Sequence, residues 1–221
     1  MELTPALVLS MWSAGIALAS GVVVYWRIVG PGFVRMSGLV LVLVAGGAAG
    51  TGGGFSAWTA VAAAVAAVLL ARRTRFVTGL MILASALLAF GATADSPLLP
   101  VVTGAALLGA VTVEMLLGHW YLVDPQLPRW ALQFLALAAG IGLLADLSYF
   151  AVEGAFGWAS GDAVVGWSLV ALALLSSLLI VGVSFSLREP SYTGVMAATG
   201  LSYLAVLTTF GVAVLGRTLL T

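Results

Sequence analysis

The chain reads as an all-α integral membrane protein. Eight transmembrane helices are expected, as two like-oriented four-helix repeats about a pseudo-two-fold axis along the membrane normal, with both termini outside. Three observations predict this. Of 221 residues, 62% are apolar and 7% charged, where a soluble domain carries about a quarter charged residues. Eight apolar runs approach the roughly 20 helical residues that cross a hydrocarbon core. A junction motif recurs in the second half of the chain.

The runs fall at 5–28, 34–50, 55–71, 76–94, 98–122, 130–151, 162–186 and 191–216. The first opens MELTPALVLSMW, with neither a basic n-region nor a small-residue cleavage site, and reads as a span instead of a removable signal peptide. The second and third are short and rich in Gly and Ala. Between them lies GTGGG, which has no Lys and no adjacent strand and so is not a phosphate loop. Its glycines, with Gly46, Gly50, Gly140 and Gly142, are expected to let helices approach closely. Arg72, Arg73 and Arg75 precede the fourth run and Asp95 follows it.

The fifth run carries Glu114 about midway and ends in GHWYLVDPQLPRW, residues 118–130, which contains the chain's only histidine. The sixth has Gln133 near its start, then Asp146 and Tyr149 on one face near its end. Asp146 there either lines an external cavity or serves helix packing. The seventh follows a long linker around VEGAFGWASGD, and Arg217 closes the eighth.

Basic residues near span ends stay on the cytoplasmic side. The chain has no lysine, and seven of its eight arginines, at 27, 35, 72, 73, 75, 129 and 188, flank alternate loops. Those loops are therefore expected in the cytoplasm. Glu2, Asp95, Glu153 and Asp162 map to the opposite face, and only Arg217 dissents. The lack of lysine with abundant Ala, Gly, Val and Arg fits a GC-rich bacterial genome, so the expected location is a bacterial cytoplasmic membrane, crossed many times.

Missing residues exclude several functions. Without Cys there is no iron–sulfur cluster ligand, covalent haem attachment or disulfide. One His cannot make a bis-histidine haem site by itself, although His119 could be one axial ligand of a haem shared with another subunit, and no Lys means no retinal Schiff base. No basic patch points to nucleic acid, and no metal-ligand or Ser/His/Asp spacing points to a hydrolase.

At an offset of 94 residues, YWRIVGPGFVR matches HWYLVDPQLPR, pairing Trp26 with Trp120, Val29 with Val123, Pro31 with Pro125 and Arg35 with Arg129. At an offset of 115, Arg73, Thr78, Gly79 and Met81 match Arg188, Thr193, Gly194 and Met196. The growth in offset places about 21 extra residues in the linker around VEGAFGWASGD. Residues 1–94 and 95–221 are thus expected to be duplicated four-helix units, and an even number of spans per unit makes them like-oriented. Trp26, Pro31, Arg35, Trp120, Pro125 and Arg129 then form a structural turn used twice: Pro stops the helix, Trp sits in the interfacial belt and Arg anchors at headgroups.

The second copy departs from the first in ionisable groups. Ser20 is matched by Glu114, Tyr25 by His119, Arg27 by Tyr121 and Gly30 by Asp124. A charged carboxylate midway along a span costs several kcal/mol unless it is protonated, paired or hydrated. Glu114 is therefore either a proton-exchanging or ligand-contacting group, or a neutral side chain bonded to a neighbouring helix. Helical spacing puts Gly118 and Tyr121 on its face, whereas His119 is turned away by about 140°. Glu114, His119, Tyr121 and Asp146 are the candidate ligand or proton-pathway residues. An ion pair between Arg129 and Asp124 is expected to fix the loop.

These features lead to a membrane subunit of a larger assembly, an anchor in a respiratory electron-transfer complex that contacts a quinone. The chain alone is expected to hold no cofactor and to lack catalytic activity, and its partners are lipids and other membrane or redox subunits. In architecture it resembles the eight-helix, two-bundle membrane anchors of molybdopterin oxidoreductase complexes, the NrfD-like family. That resemblance implies catalysis on partner subunits. The alternative is a proton-coupled small-solute transporter or channel that uses Glu114.

Overall fold

The computed structural model describes residues 3–157 and 163–220. Eight α-helices follow in order: α1 Pro5–Tyr25, α2 Pro31–Gly50, α3 Gly54–Leu69, α4 Thr74–Ala92, α5 Leu98–Val123, α6 Arg129–Val152, α7 Ala163–Ser186 and α8 Tyr192–Thr218. Seven are long and apolar enough to cross a membrane, and α3, at 16 residues, is the shorter one. The protein is thus a helical, multi-pass membrane protein. Glu2 and Asp162, and part of the linker around VEGAFGWASGD, lie outside the described residues.

Local chemistry explains the helix ends. Thr4 caps α1, its side chain accepting from the Leu7 amide at 3.1 Å, with Pro5 in the first turn. Pro31 opens α2, where its missing N–H costs nothing. This corrects the expectation that Pro31 and Pro125 play one role: Pro31 starts a helix, whereas Pro125 lies exposed in the turn before α6. Gly52 and Gly54 take positive φ values of 111° and 66° between α2 and α3, so this run makes a turn.

In the first half α1 packs on α2 and α4, and α3 on α2 and α4. The second half repeats the cycle, with α5 on α6 and α8, and α7 on α6 and α8. The two cycles meet chiefly through α1 and α5, the most enclosed helices, whose apolar windows are 72% and 78% buried against 28% for α4. Contact there is backbone to backbone. A Cβ on Gly15 would lie 2.8 Å from the Gly109 Cα, closer than real side chains approach. Of the expected glycines, Gly46 and Gly50 face open space and Gly140 meets only Ile180, whereas Gly53 closely approaches the Ala48 carbonyl of α2 and Gly142 closely approaches Leu107 of α5.

The α1–α2, α3–α4, α5–α6 and α7–α8 connections share one end of the bundle, here the arginine end. Trp26 packs edge-on against Trp130 and Phe134, with centroids 4.7 and 5.2 Å away, and Trp120 lies over Gly32. Each tryptophan of the matched turn thus rests on the opening of the other half's second helix. Arg129 fixes the loops, but not with Asp124 as expected. Its guanidinium donates to the carbonyls of Glu189, Pro190 and Ser191 in the α7–α8 connection, the last at 3.0 Å, while the Asp124 carboxylate accepts from the Gln126 amide. Arg35, its match in the first half, is exposed on α2.

Candidate functional site

Glu114 is 3% exposed and sits between α5, α6, α7 and α8. Ser202 of α8 reaches it: the Ser202 hydroxyl bonds Glu114 Oε2 and also lies 2.8 Å from the Ala198 carbonyl. One hydroxyl proton there serves two acceptors, so the chain from Ala198 through Ser202 to Glu114 can accommodate a second proton on the carboxyl. The other oxygen, Oε1, is buried and has no hydrogen-bond partner among the described residues. Burying a polar atom without a partner is costly, and such atoms mark places where something else binds.

Glu114 also lines a cavity of about 10 Å³ with Val111, Ala136, Ala139, Ile180, Val183 and Ala205, close to the space one water needs. Beyond it, between α6 and α7, a lateral crevice of 310 Å³ runs along Leu137, Gly140, Ile141, Leu144, Ser177 and Val181. Leu137, Ile141, Leu144 and Val181 are exposed on the apolar outer surface. Ala136 and Ile180 thus form the wall that the small cavity beside Glu114 shares with the lateral crevice. Of the two only Ile180 has rotamers that can reshape that wall. The crevice exists because α6 and α7 touch least among the sequential neighbours of the second half.

The other candidates are placed separately. Gly118 and Tyr121 share the buried face of α5 with Glu114, as helical spacing requires: Gly118 accepts the close approach of Thr199, and Tyr121 is 6% exposed with its hydroxyl 3.5 Å from Arg129 Nε. His119 faces outward, with Nδ1 3.3 Å from the Tyr203 hydroxyl. Histidine and carboxyl thus flank the α5–α8 seam on opposite sides.

Asp146 is fully buried towards the far end of the bundle. Its Oδ1 accepts from Thr103 Oγ1 at 2.7 Å and Arg217 Nη2 at 2.8 Å, and its Oδ2 from Arg217 Nη1 at 3.0 Å. Arg217 also donates to the carbonyls of Pro100 and Ala213. Tyr149, three residues on from Asp146 along α6, sets its ring at a tilt to that of Phe150, with centroids 5.9 Å apart. Sequence reading missed the pair of Asp146 and Arg217 because its members are 71 residues apart. The signal was present, however, in the one arginine that broke the charge pattern.

Among the described residues no group of three or more His, Asp or Glu side chains could hold a metal. Comparison with known proteins finds no family model, curated protein or solved structure that matches this chain.

Proposed function

We propose that this chain is a membrane anchor of a larger electron-transfer assembly in a bacterial cytoplasmic membrane, and that it receives the head of a quinone at Glu114. The observation that carries this reading is the buried Glu114, whose Oε1 has no hydrogen-bond partner among the described residues and which lines a small cavity adjoining a lipid-facing crevice. A quinone needs an apolar slot for its ring and tail and a few polar groups for its oxygens. Entry between α6 and α7 suits a ligand already dissolved in hydrocarbon. When bound, a quinone would supply two-electron redox chemistry. Glu114 and Ser202 would orient its head and hold a proton beside it. With no Cys and one His, metal-centred electron carriers would reside on partner subunits.

The test is native mass spectrometry of protein extracted gently from its own membrane, with released small molecules identified in the same run. Redox companions and a quinone are expected with the wild type, and the quinone is expected to be lost from Glu114→Gln. A lone monomer or homodimer without quinone overturns the reading.

The halves 1–94 and 95–221 are further proposed to be duplicated and related by a two-fold axis along the membrane normal, with both termini outside. Under such an axis, equivalent residues touch each other only on the axis, and other contacts occur in exchanged pairs. Gly15 and Gly109, which are 94 residues apart, touch each other. Trp12 Nε1 donates to Thr112 at 2.8 Å, and their equivalents at that offset, Ala106 and Leu18, line one groove of 180 Å³. Arg217 carries no weight against the orientation, because it is buried and paired.

A proton-coupled transporter remains the second reading, supported by the accommodation of a proton at Glu114 and Ser202. Like-oriented repeats that alternate access place their site at the interface between halves. Here that interface is closed by Gly15 against Gly109, and Glu114 lies within the second half. Substrate flux driven by a pH gradient in proteoliposomes, lost in Glu114→Gln, would favour this reading over the first.

A further inference from the structure

The arginine end is divided unequally between the halves. In the second half every arginine has a partner: Arg129 holds the α7–α8 connection, Arg188 lies 4.7 Å from the Phe185 ring centroid, and Arg217 pairs with Asp146 at the other end. In the first half Arg27, Arg72, Arg73 and Arg75 line a single cavity of 370 Å³ with Thr74 and Phe76, between the α1–α2 and α3–α4 connections. All four are exposed. Among the described residues no acidic side chain pairs with any of them, for the one ion pair is that of Arg217 and Asp146. The acids at this end, Asp124 and Glu189, belong to the second half's connections.

Like charges gathered around one space repel each other, and an anion bound among them would relieve that repulsion. Two features hold the arrangement. Arg27 has φ 56°, the single non-glycine residue in the left-handed region among the described residues, a conformation that costs energy and marks functional positions. The cavity also borders the opening of α4, whose capping residue Arg73 makes no side-chain cap, so the positive end of the helix dipole adds to the field.

We propose that Arg27, Arg72, Arg73 and Arg75 form a site for a phosphate group, carried by an anionic phospholipid. Guanidinium forks match phosphate oxygens two at a time, and four of them around one cavity exceed what headgroup anchoring needs. The lipid, in preference to free phosphate, follows from the surface below. Phe76 at the cavity wall is 63% exposed, and Leu69 and Leu70 at the end of α3 are 79% and 38% exposed. An acyl chain leaving the cavity therefore meets apolar side chains, where a soluble anion would gain nothing.

The experiment is native mass spectrometry of the full chain in neutral detergent, titrated separately with phosphatidylglycerol, phosphatidylcholine and inorganic phosphate. Wild-type protein is expected to retain phosphatidylglycerol at least about tenfold better than phosphatidylcholine, given the attraction each surface arginine adds. R72Q/R73Q/R75Q is expected to lose that preference while its circular dichroism is unchanged. R72K/R73K/R75K, which keeps the charge but not the fork, is expected to keep the charge-based part of that preference while binding phosphatidylglycerol less well than wild type, and R188Q is expected to match wild type. Equal retention of both lipids by wild type, or an undiminished preference in the glutamine variant, overturns the site. Inorganic phosphate bound as tightly as phosphatidylglycerol overturns the lipid as its source, and capture of an acidic protein in place of lipid does the same.

Discussion

Arg217 of α8 and Asp146 of α6 form a bidentate ion pair, 2.8 and 3.0 Å between heavy atoms, with both side chains fully buried. Through the Pro100 carbonyl and Thr103 the same cluster ties in α5. Three helices of the second half are thereby pinned at the end opposite the arginine loops. The Phe150 ring lies 5.3 Å from the guanidinium and closes the cluster from the side.

Removing one partner leaves an uncompensated charge in an apolar interior. Arg217→Met or Asp146→Leu alone is expected to cost about 3–5 kcal/mol, whereas the double variant, with nothing charged left to bury, should recover most of that loss. Thermal unfolding in detergent, analysed as a double-mutant cycle, measures the coupling. A loss in the double variant equal to the sum of the two single losses would show that the pair contributes no coupling.

The α1–α5 seam is predicted to be intolerant of side chains. Gly109→Ala places a methyl against the Gly15 backbone and should cost about 1–3 kcal/mol by overpacking. Gly46→Ala, which meets open space, should be neutral or slightly stabilising, since alanine is the better helix former. Melting temperatures of the two variants side by side decide the matter.

Ile180 lines both the lateral crevice and the small cavity beside Glu114. Ile180→Ala should join the 310 Å³ crevice to the small cavity at Glu114 and raise the photolabelling rate of Glu114 by a crevice-entering quinone analogue. Ile180→Phe should lower it. Indifference of labelling to both substitutions would mean that the crevice is not the route.

His119 is predicted to be replaceable. It faces outward beside Tyr203, away from Glu114, so His119→Tyr should leave quinone retention and thermal stability within about twofold and 0.5 kcal/mol of wild type, as surface changes usually do. A large loss of retention with unchanged stability would instead place His119 on the ligand or proton path.

Composition and run length determined that this is a bundle of apolar helices, and their bounds differ from the helices found by a few residues. Hydropathy is a local property, so a span is legible wherever a window of the sequence is apolar enough. Helical spacing likewise separated His119 from Glu114, because angle around one helix depends on residue number alone. What the tertiary structure decided is which helices meet. No local pattern distinguishes Gly15 and Gly109, which touch, from Gly46 and Gly50, which do not. Asp146 and Arg217 look like a buried acid and a stray terminal charge until α6 and α8 are brought together. The bond from Ser202 to Glu114, and the crevice above it, exist only because α8 crosses α5 there while α6 and α7 stand apart. Pairing across 71 or 88 residues is set by the summed packing of the bundle, and that sum is not contained in any one stretch of chain.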